Sequence, residues 1–194
     1  MTSDSISARD RLLDRVVEYG GAHGLAEHSL RTIAQGAGTS HRMLLHHFGS
    51  REELLVAVVK EVEHRQRVAM MDLAGDPSAA TGPLTAEDRQ AIGQAFWERL
   101  SDPSLAPLER LFFELYSQAL LGAAWGADLL DGIVEEWVEP VAALMVADGV
   151  DPGTARRRAR LGVAVSRGLL LDLLATGDRD AVDGAMEEFL RLVG

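Results

Sequence analysis

Residues 28–51, HSLRTIAQGAGTSHRMLLHHFGSR, hold no acidic side chain in a chain of formal net charge −11, yet they contain Arg31, Arg42, Arg51 and four of its six histidines. The same stretch reads as two short helices joined by a tight turn. Leu30, Ile33, Ala34 and Ala37 mark the inward face of the first helix and Leu44 with Phe48 that of the second, at the three- and four-residue spacing of a half-buried helix. Ala34 is small enough for a close crossing, Gly38 can take the left-handed backbone of a sharp bend, and Ser40 is placed to cap the second helix. Cationic charge on the outside of a rigid bihelical corner suits a polyanion, so this window predicts a unit that lays its second helix in a groove of duplex DNA.

The charge of the rest of the chain sharpens this expectation. Basic and acidic residues balance at nine each through Arg67, so the whole −11 belongs to the remainder, while all six histidines lie in the first third. An acidic body behind a neutral-to-basic head orients the head toward phosphate. With 194 residues, 47% of them hydrophobic, the chain can bury a proper core in one large domain or in a small domain fused to a larger one. It has no cysteine, which removes disulfides, thiolate metal sites and cysteine nucleophiles. The N-terminal MTSDSISARDRLLDR lacks the apolar run of a secretory signal, and the longest apolar stretch, Leu161 to Ala175, is too short and too interrupted to span a bilayer. These features predict a cytoplasmic protein without a membrane partner.

Helix punctuation recurs along the chain and strand alternation does not. Ser7 with Asp10, Ser50 with Glu53 and Thr85 with Asp88 are cap pairs, Asp151-Pro152 is a cap followed by proline at the first helical position, and Asp180 is placed to open the last segment. The resulting map has helices near 8–23, 30–36, 41–47, 51–73, 85–101, 105–123, 127–147, 153–176 and 180–193, with 74–83 a loop. The fold class is therefore all-α: a three-helix helix-turn-helix domain over 1–52 and a larger helical domain over 53–194.

Within the head, His41, Arg42, Met43, His46 and His47 occupy the outward positions of the second short helix. Arg42 offers a planar fork for guanine O6 and N7 or for phosphate, and the imidazoles can donate to either acceptor. Ser29, Arg31, Ser40 and Arg51 stand at helix beginnings, where side chains and free N–H groups grip phosphate oxygens. The histidines do not form a metal site by spacing, since His46 and His47 are adjacent and His41 is five residues away. Neither a metal nor an organic cofactor is expected.

The head resembles the N-terminal domain of the TetR (tetracycline-repressor) family of transcriptional regulators over roughly residues 9–60. The resemblance rests on Gly24, Ser29-Leu30-x-x-Ile33-Ala34, Gly38-x-Ser40 and Leu44-x-x-His47-Phe48-x-Ser50-Arg51-Glu52-x-Leu54-Leu55. It implies that Arg31, Arg42, His47 and Arg51 sit where such regulators meet bases or phosphates, and that an effector pocket lies in the body. Three positions depart from the family pattern. Leu45 stands in place of a frequent tyrosine, Arg42 in place of a small residue or proline, and Met43 in place of a threonine, so the operator does not transfer from relatives.

In the body, Leu54, Leu55, Val58, Val59 and Val62 give the fourth helix an inward stripe suited to a stiff strut. Phe96, Trp97, Phe112, Phe113, Tyr116, Trp125 and Trp137 are seven of the ten aromatics, expected either to surround a pocket for a small hydrophobic effector or to fill a core. Pro140 is expected to kink its helix. The basic cluster Arg156, Arg157, Arg158 and Arg160 reads as a solvated helix start countering nearby carboxylates. The nearly all-round apolar run from Leu161 to Ala175 and the stripe on the final helix predict a four-helix homodimer seam built from Leu161, Val165, Gly168, Leu169, Leu173, Val182, Met186, Phe189 and Leu190. The combined expectation is a ligand-responsive DNA-binding regulator acting as a homodimeric repressor on a pseudo-palindromic operator. An all-helical dimeric interaction adaptor without an effector is the rival, and an enzyme is disfavoured because no nucleotide loop, metal motif or nucleophile constellation is present.

Overall fold

The computed structural model describes residues 7–25, 27–75 and 84–193, and among them every regular element is helical. These elements are α1 (Ala8–His23), α2 (Leu30–Gly36), α3 (His41–Phe48), α4 (Arg51–Ala74), α5 (Ala86–Leu100), a 3₁₀ turn (Pro103–Leu105), α6 (Ala106–Leu120), α7 (Gly126–Leu130), α8 (Glu135–Ala147), α9 (Pro152–Thr176) and α10 (Arg179–Val193). The predicted caps form. The hydroxyls of Ser7, Ser50 and Thr85 accept from the amides of Asp10, Glu53 and Asp88, and the Asp151 carboxylate accepts from Thr154. Thr85 also donates its hydroxyl and its amide to Asp88, which holds that carboxyl below its ordinary pKa. Most of the predicted loop, residues 76–83, lies outside the described residues.

Two expectations need correction. The single helix expected over 127–147 is two, α7 and α8, because Asp131 turns extended and Gly132 takes a left-handed backbone (φ 72), a conformation that breaks helical hydrogen bonding at little steric cost for glycine. Pro140 lies inside α8, so the interruption falls eight residues before it. The last helix opens one residue earlier than expected: the Asp178 carboxylate accepts from the Ala181 amide, leaving Asp180 inside the first turn.

The chain folds into two compact units. The first comprises Met1–His64 with Pro103–Asp131, so it extends past residue 52 and takes in the first part of α4 together with α6 and α7. Leu12, Leu13, Val16 and Val17 of α1, Ile33 and Ala34 of α2, and Leu44 and Phe48 of α3 are buried in it. So are Leu54, Leu55, Val58 and Val59 of α4 and Leu111, Phe112 and Leu115 of α6. Gly126 brings α7 onto α6 so closely that a Cβ there would lie 2.8 Å from the Ala119 Cα.

The second unit comprises Arg65–Asp102 with Gly132–Gly194. Its most extensive pairing is α8 on α9, where Val138 and Ala142 meet Ala155 and Ala159. Arg156 pairs with Glu135 and Glu139 along the rim, as expected of that basic cluster. These pairs are half exposed or nearly so and add little stability. Elsewhere in the unit, the buried Trp97 of α5 donates its indole N–H to Asp183 of α10 at 2.8 Å. No helix among the described residues is long and apolar enough to cross a membrane.

Since the Ala119 backbone cannot yield as a side chain can, Gly126→Ala is expected to destabilise the chain by about 1–3 kcal/mol, the usual cost of overpacking. Urea denaturation measures this. Gly162→Ala, inside α9 at a position with open space where a Cβ would go, serves as the opposite control and is expected to raise stability by about 0.5–1 kcal/mol.

Candidate nucleic-acid interface

The reading corner is built by caps and a short apolar overlap. Ser29 caps α2 by accepting from the Thr32 amide at 3.2 Å, and Ser40 caps α3 by accepting from the Met43 amide at the same distance. Between them Gly38 takes φ 63, the left-handed conformation expected of it. A different close approach, of α1 to α2, was not revealed by periodicity. The Tyr19 ring of α1 lies where a Cβ on Gly36 would fall, with ring atoms 2.2–2.6 Å from that position. The signal was a glycine inside a short helix, which is unfavourable there unless something needs the space.

Only Leu44 and Phe48 of α3 are buried. His41, Arg42, Met43 and His46 are exposed, and His47 is half-buried with its ring 5.0 Å from that of His46. Ser29, Arg31 and Ser40 are exposed too. Leu45 is exposed as well and was not among the expected contacts. Arg9 of α1 adds a further cation, its guanidinium 4.9 Å from the centre of the Phe48 ring, a distance typical of a cation–π contact.

Arg51 is arranged differently from the other arginines of the window. Its Nε donates to the His28 carbonyl at 2.8 Å and Nη2 to the Leu25 carbonyl at 3.4 Å, with Glu52 at 3.9 Å from Nη1. The guanidinium therefore ties the start of α4 to the chain between α1 and α2, donating to the His28 carbonyl and adding a second donor to the Leu25 carbonyl, which also accepts from the His28 amide.

The aromatics divide between the two units. In the first, Phe112 contacts Phe113 and stacks on Tyr116 (ring centres 5.1 and 5.5 Å apart), and Trp125 is half-buried. In the second, Phe96 approaches Trp137 at 5.8 Å, Trp97 is buried, and Arg67 lies over the Trp137 ring. A narrow cleft in the first unit, with a cavity volume of only about 10 Å³, is lined by Val58, Val59, Val62 and Glu63 of α4 and by Leu108, Glu109, Leu111 and Phe112 of α6. Phe112 is the expected pocket residue found there. Glu63 and Glu109 were not singled out, although Glu109 is the buried carboxylate of α6; a charge inside an apolar stripe was the signal available. Of the expected seam, Leu161 and Gly168 are exposed, Val165, Leu169, Leu173, Phe189 and Leu190 are half-buried, and Val182 and Met186 are buried within the protomer.

Residues 12–58 match the family model described as "Bacterial regulatory proteins, tetR family". A curated relative, the HTH-type transcriptional regulatory protein RaaS of Mycobacterium tuberculosis, is 29% identical over 178 residues, which is 89% of this chain and 74% of that protein. Among solved structures, a transcriptional regulator from Rhodococcus sp. Rha1 superposes with TM-score 0.70 at 18% identity, covering 96% of each chain. The multidrug binding protein EbrR, complexed with imidazole, superposes with TM-score 0.61 at 26% identity, covering 95% of this chain and 88% of that one.

Arg51 and Arg31 should separate in a stability measurement. Arg51→Ala leaves two carbonyls without their charged donor and is expected to cost about 1–3 kcal/mol of unfolding free energy. Arg31→Ala, exposed on α2, should stay within about 0.5 kcal/mol of the parent.

Proposed function

We propose that this chain, whose residues 12–58 match the tetR-family model and which is 29% identical to a transcriptional regulatory protein, is a DNA-binding TetR-family regulator rather than an enzyme, and that it acts as a homodimeric repressor whose paired α3 helices read the half-sites of a pseudo-palindromic operator. The observation that carries the DNA geometry is α3 itself: capped, held by two buried residues, and set in a window free of carboxylates from His28 to Arg51. Arg42, in the first turn of α3, is the base-reading fork, because the N-terminal residues of a recognition helix reach base edges. His41 and His46 support it, and His47 meets the backbone. Ser29, Arg31 and Ser40 hold phosphates, while Arg51 acts through the loop it fixes. An interaction adaptor gives no reason for an acid-free reading helix in an acidic chain.

The homodimer rests on α9 and α10. Leu161 and Leu171 of α9 are 49% and 52% exposed and Leu192 of α10 69%, while Gly168 and Gly184 offer open space where a second helix can approach. Val165, Leu169, Leu173, Phe189 and Leu190 complete the apolar face, supported from beneath by Val182 and Met186. A two-fold pair of reading heads then implies two half-sites.

The effector belongs between α4 and α6. The cleft there holds only about 10 Å³, far below the roughly 300–1,000 Å³ of a drug-sized pocket, so a ligand enters by parting the two helices. Phe113, Tyr116 and Trp125 lie beyond Phe112 on the same unit and provide the aromatic surface for a small hydrophobic molecule, while Phe96, Trp97 and Trp137 are core of the other unit. Parting α4 from α6 strains the Arg51 tether at the start of α4 and so biases the head. By linkage, effector and operator weaken each other's binding by the same factor. The 26% identity to a protein described as multidrug-binding supports an effector of this kind. DNA binding of this type belongs in the cytoplasm.

Arg42→Ala is expected to weaken operator binding by about 1–3 kcal/mol and to relax the base preference at one position of each half-site. Fluorescence anisotropy with duplexes selected from a random pool measures both. Leu171→Glu should turn the dimer into a monomer in sedimentation equilibrium and abolish high-affinity operator binding while sparing the helical circular-dichroism spectrum. A dimer that persists through charged substitutions at both Leu161 and Leu171 would remove α9 from the seam.

A further inference from the structure

At about 100° per residue, the α3 surface outside its buried row falls into three rows: His41 with Leu45, Arg42 with His46, and Met43 with His47. The polar row in the centre is thus flanked on each side by one apolar side chain. Met43 is 42% and Leu45 39% exposed, and among the described residues before Val68 they are the large apolar side chains left on the surface. The rest of the head buries its leucines, isoleucine and valines. Apolar side chains left exposed on a helix that enters a groove are available to meet an apolar group there.

Duplex DNA presents few such groups. In the major groove the apolar feature of the base edges is the C5-methyl of thymine, and phosphate oxygens need donors. Leucine has no hydrogen-bonding group, and a thioether is only a weak acceptor, so neither side chain can hold a phosphate. We propose that Met43 and Leu45 read thymine methyl groups, making this a regulator whose half-site carries thymines on both flanks of the base pair read by Arg42. This rests on the reading of α3 as the major-groove helix. Leucine, with its defined rotamers, selects one methyl position, and methionine, with three rotatable bonds, adapts to the other. No carboxylate between His28 and Arg51 opposes the approach of either flank to the duplex.

Deoxyuridine differs from thymidine by that methyl alone, which gives the test. A duplex selected from a random pool with the full-length protein is remade with each thymine of one half-site replaced in turn by deoxyuridine, and affinity is measured by anisotropy at fixed salt. At two positions the substitution is expected to weaken binding about fourfold, as for one methyl-sized group withdrawn from water. Met43→Ala should abolish the penalty at one position and Leu45→Ala at the other. Arg42→Ala should weaken binding throughout but keep both penalties. A selected half-site without thymine, or indifference to deoxyuridine at every position, overturns methyl reading while leaving DNA recognition intact. A pool from which no duplex is enriched overturns the major-groove reading beneath it.

Discussion

The arrangement of the head depends on how little of α3 is buried. Two of its eight residues, Leu44 and Phe48, enter the core. Because they are four apart they form one row, and one row fixes the rotation of a helix about its axis while leaving the other three rows outside. A third inward residue on a neighbouring row would have turned either the His41–Leu45 row or the Met43–His47 row into the protein. The Ser40 cap then fixes where the helix begins, so the rotation and the start of the reading surface are both set locally.

What holds this corner in place is a division of labour among arginines of similar appearance in the sequence. Arg42 and Arg31 are exposed, whereas Arg51 is committed to the carbonyls of His28 and Leu25. A guanidinium suits this task because its rigid fork can serve two acceptors at once and does not lose its charge. The consequence is that α4 is more than a connector. Its first residue anchors the head, and further along the helix Val59, Val62 and Glu63 line the cleft against α6. A single helix therefore carries a contact with the bihelical corner and a wall of the cleft inside one compact unit.

Much of this was legible before any coordinates. The caps at Ser7, Ser40, Ser50, Thr85 and Asp151 depend on side chains three residues from the amides they satisfy, and such local chemistry survives whatever the rest of the chain does. The inward faces of the first three helices follow from periodicity for the same reason. The break at Gly132 was missed because apolar residues continue in helical register on both sides, and a glycine alone does not announce whether it bends the chain. Asp178 was overlooked as a cap in favour of Asp180 because two carboxylates two residues apart offer equal local signals.

The sequence by itself determined the helical class, the position of the bihelical corner and the sign of its charge, since each rests on side chains within a few residues of one another. Only the tertiary structure decided which arginine is spent on the scaffold, which aromatics share an interior, and which apolar residues of α3 stay outside. Those outcomes depend on partners far apart in the chain, Arg51 with Leu25 and His28, Phe112 with the stripe of α4, Trp97 with Asp183. Periodicity gives the face a residue occupies on its own helix, but burial is settled by what another helix brings to that face.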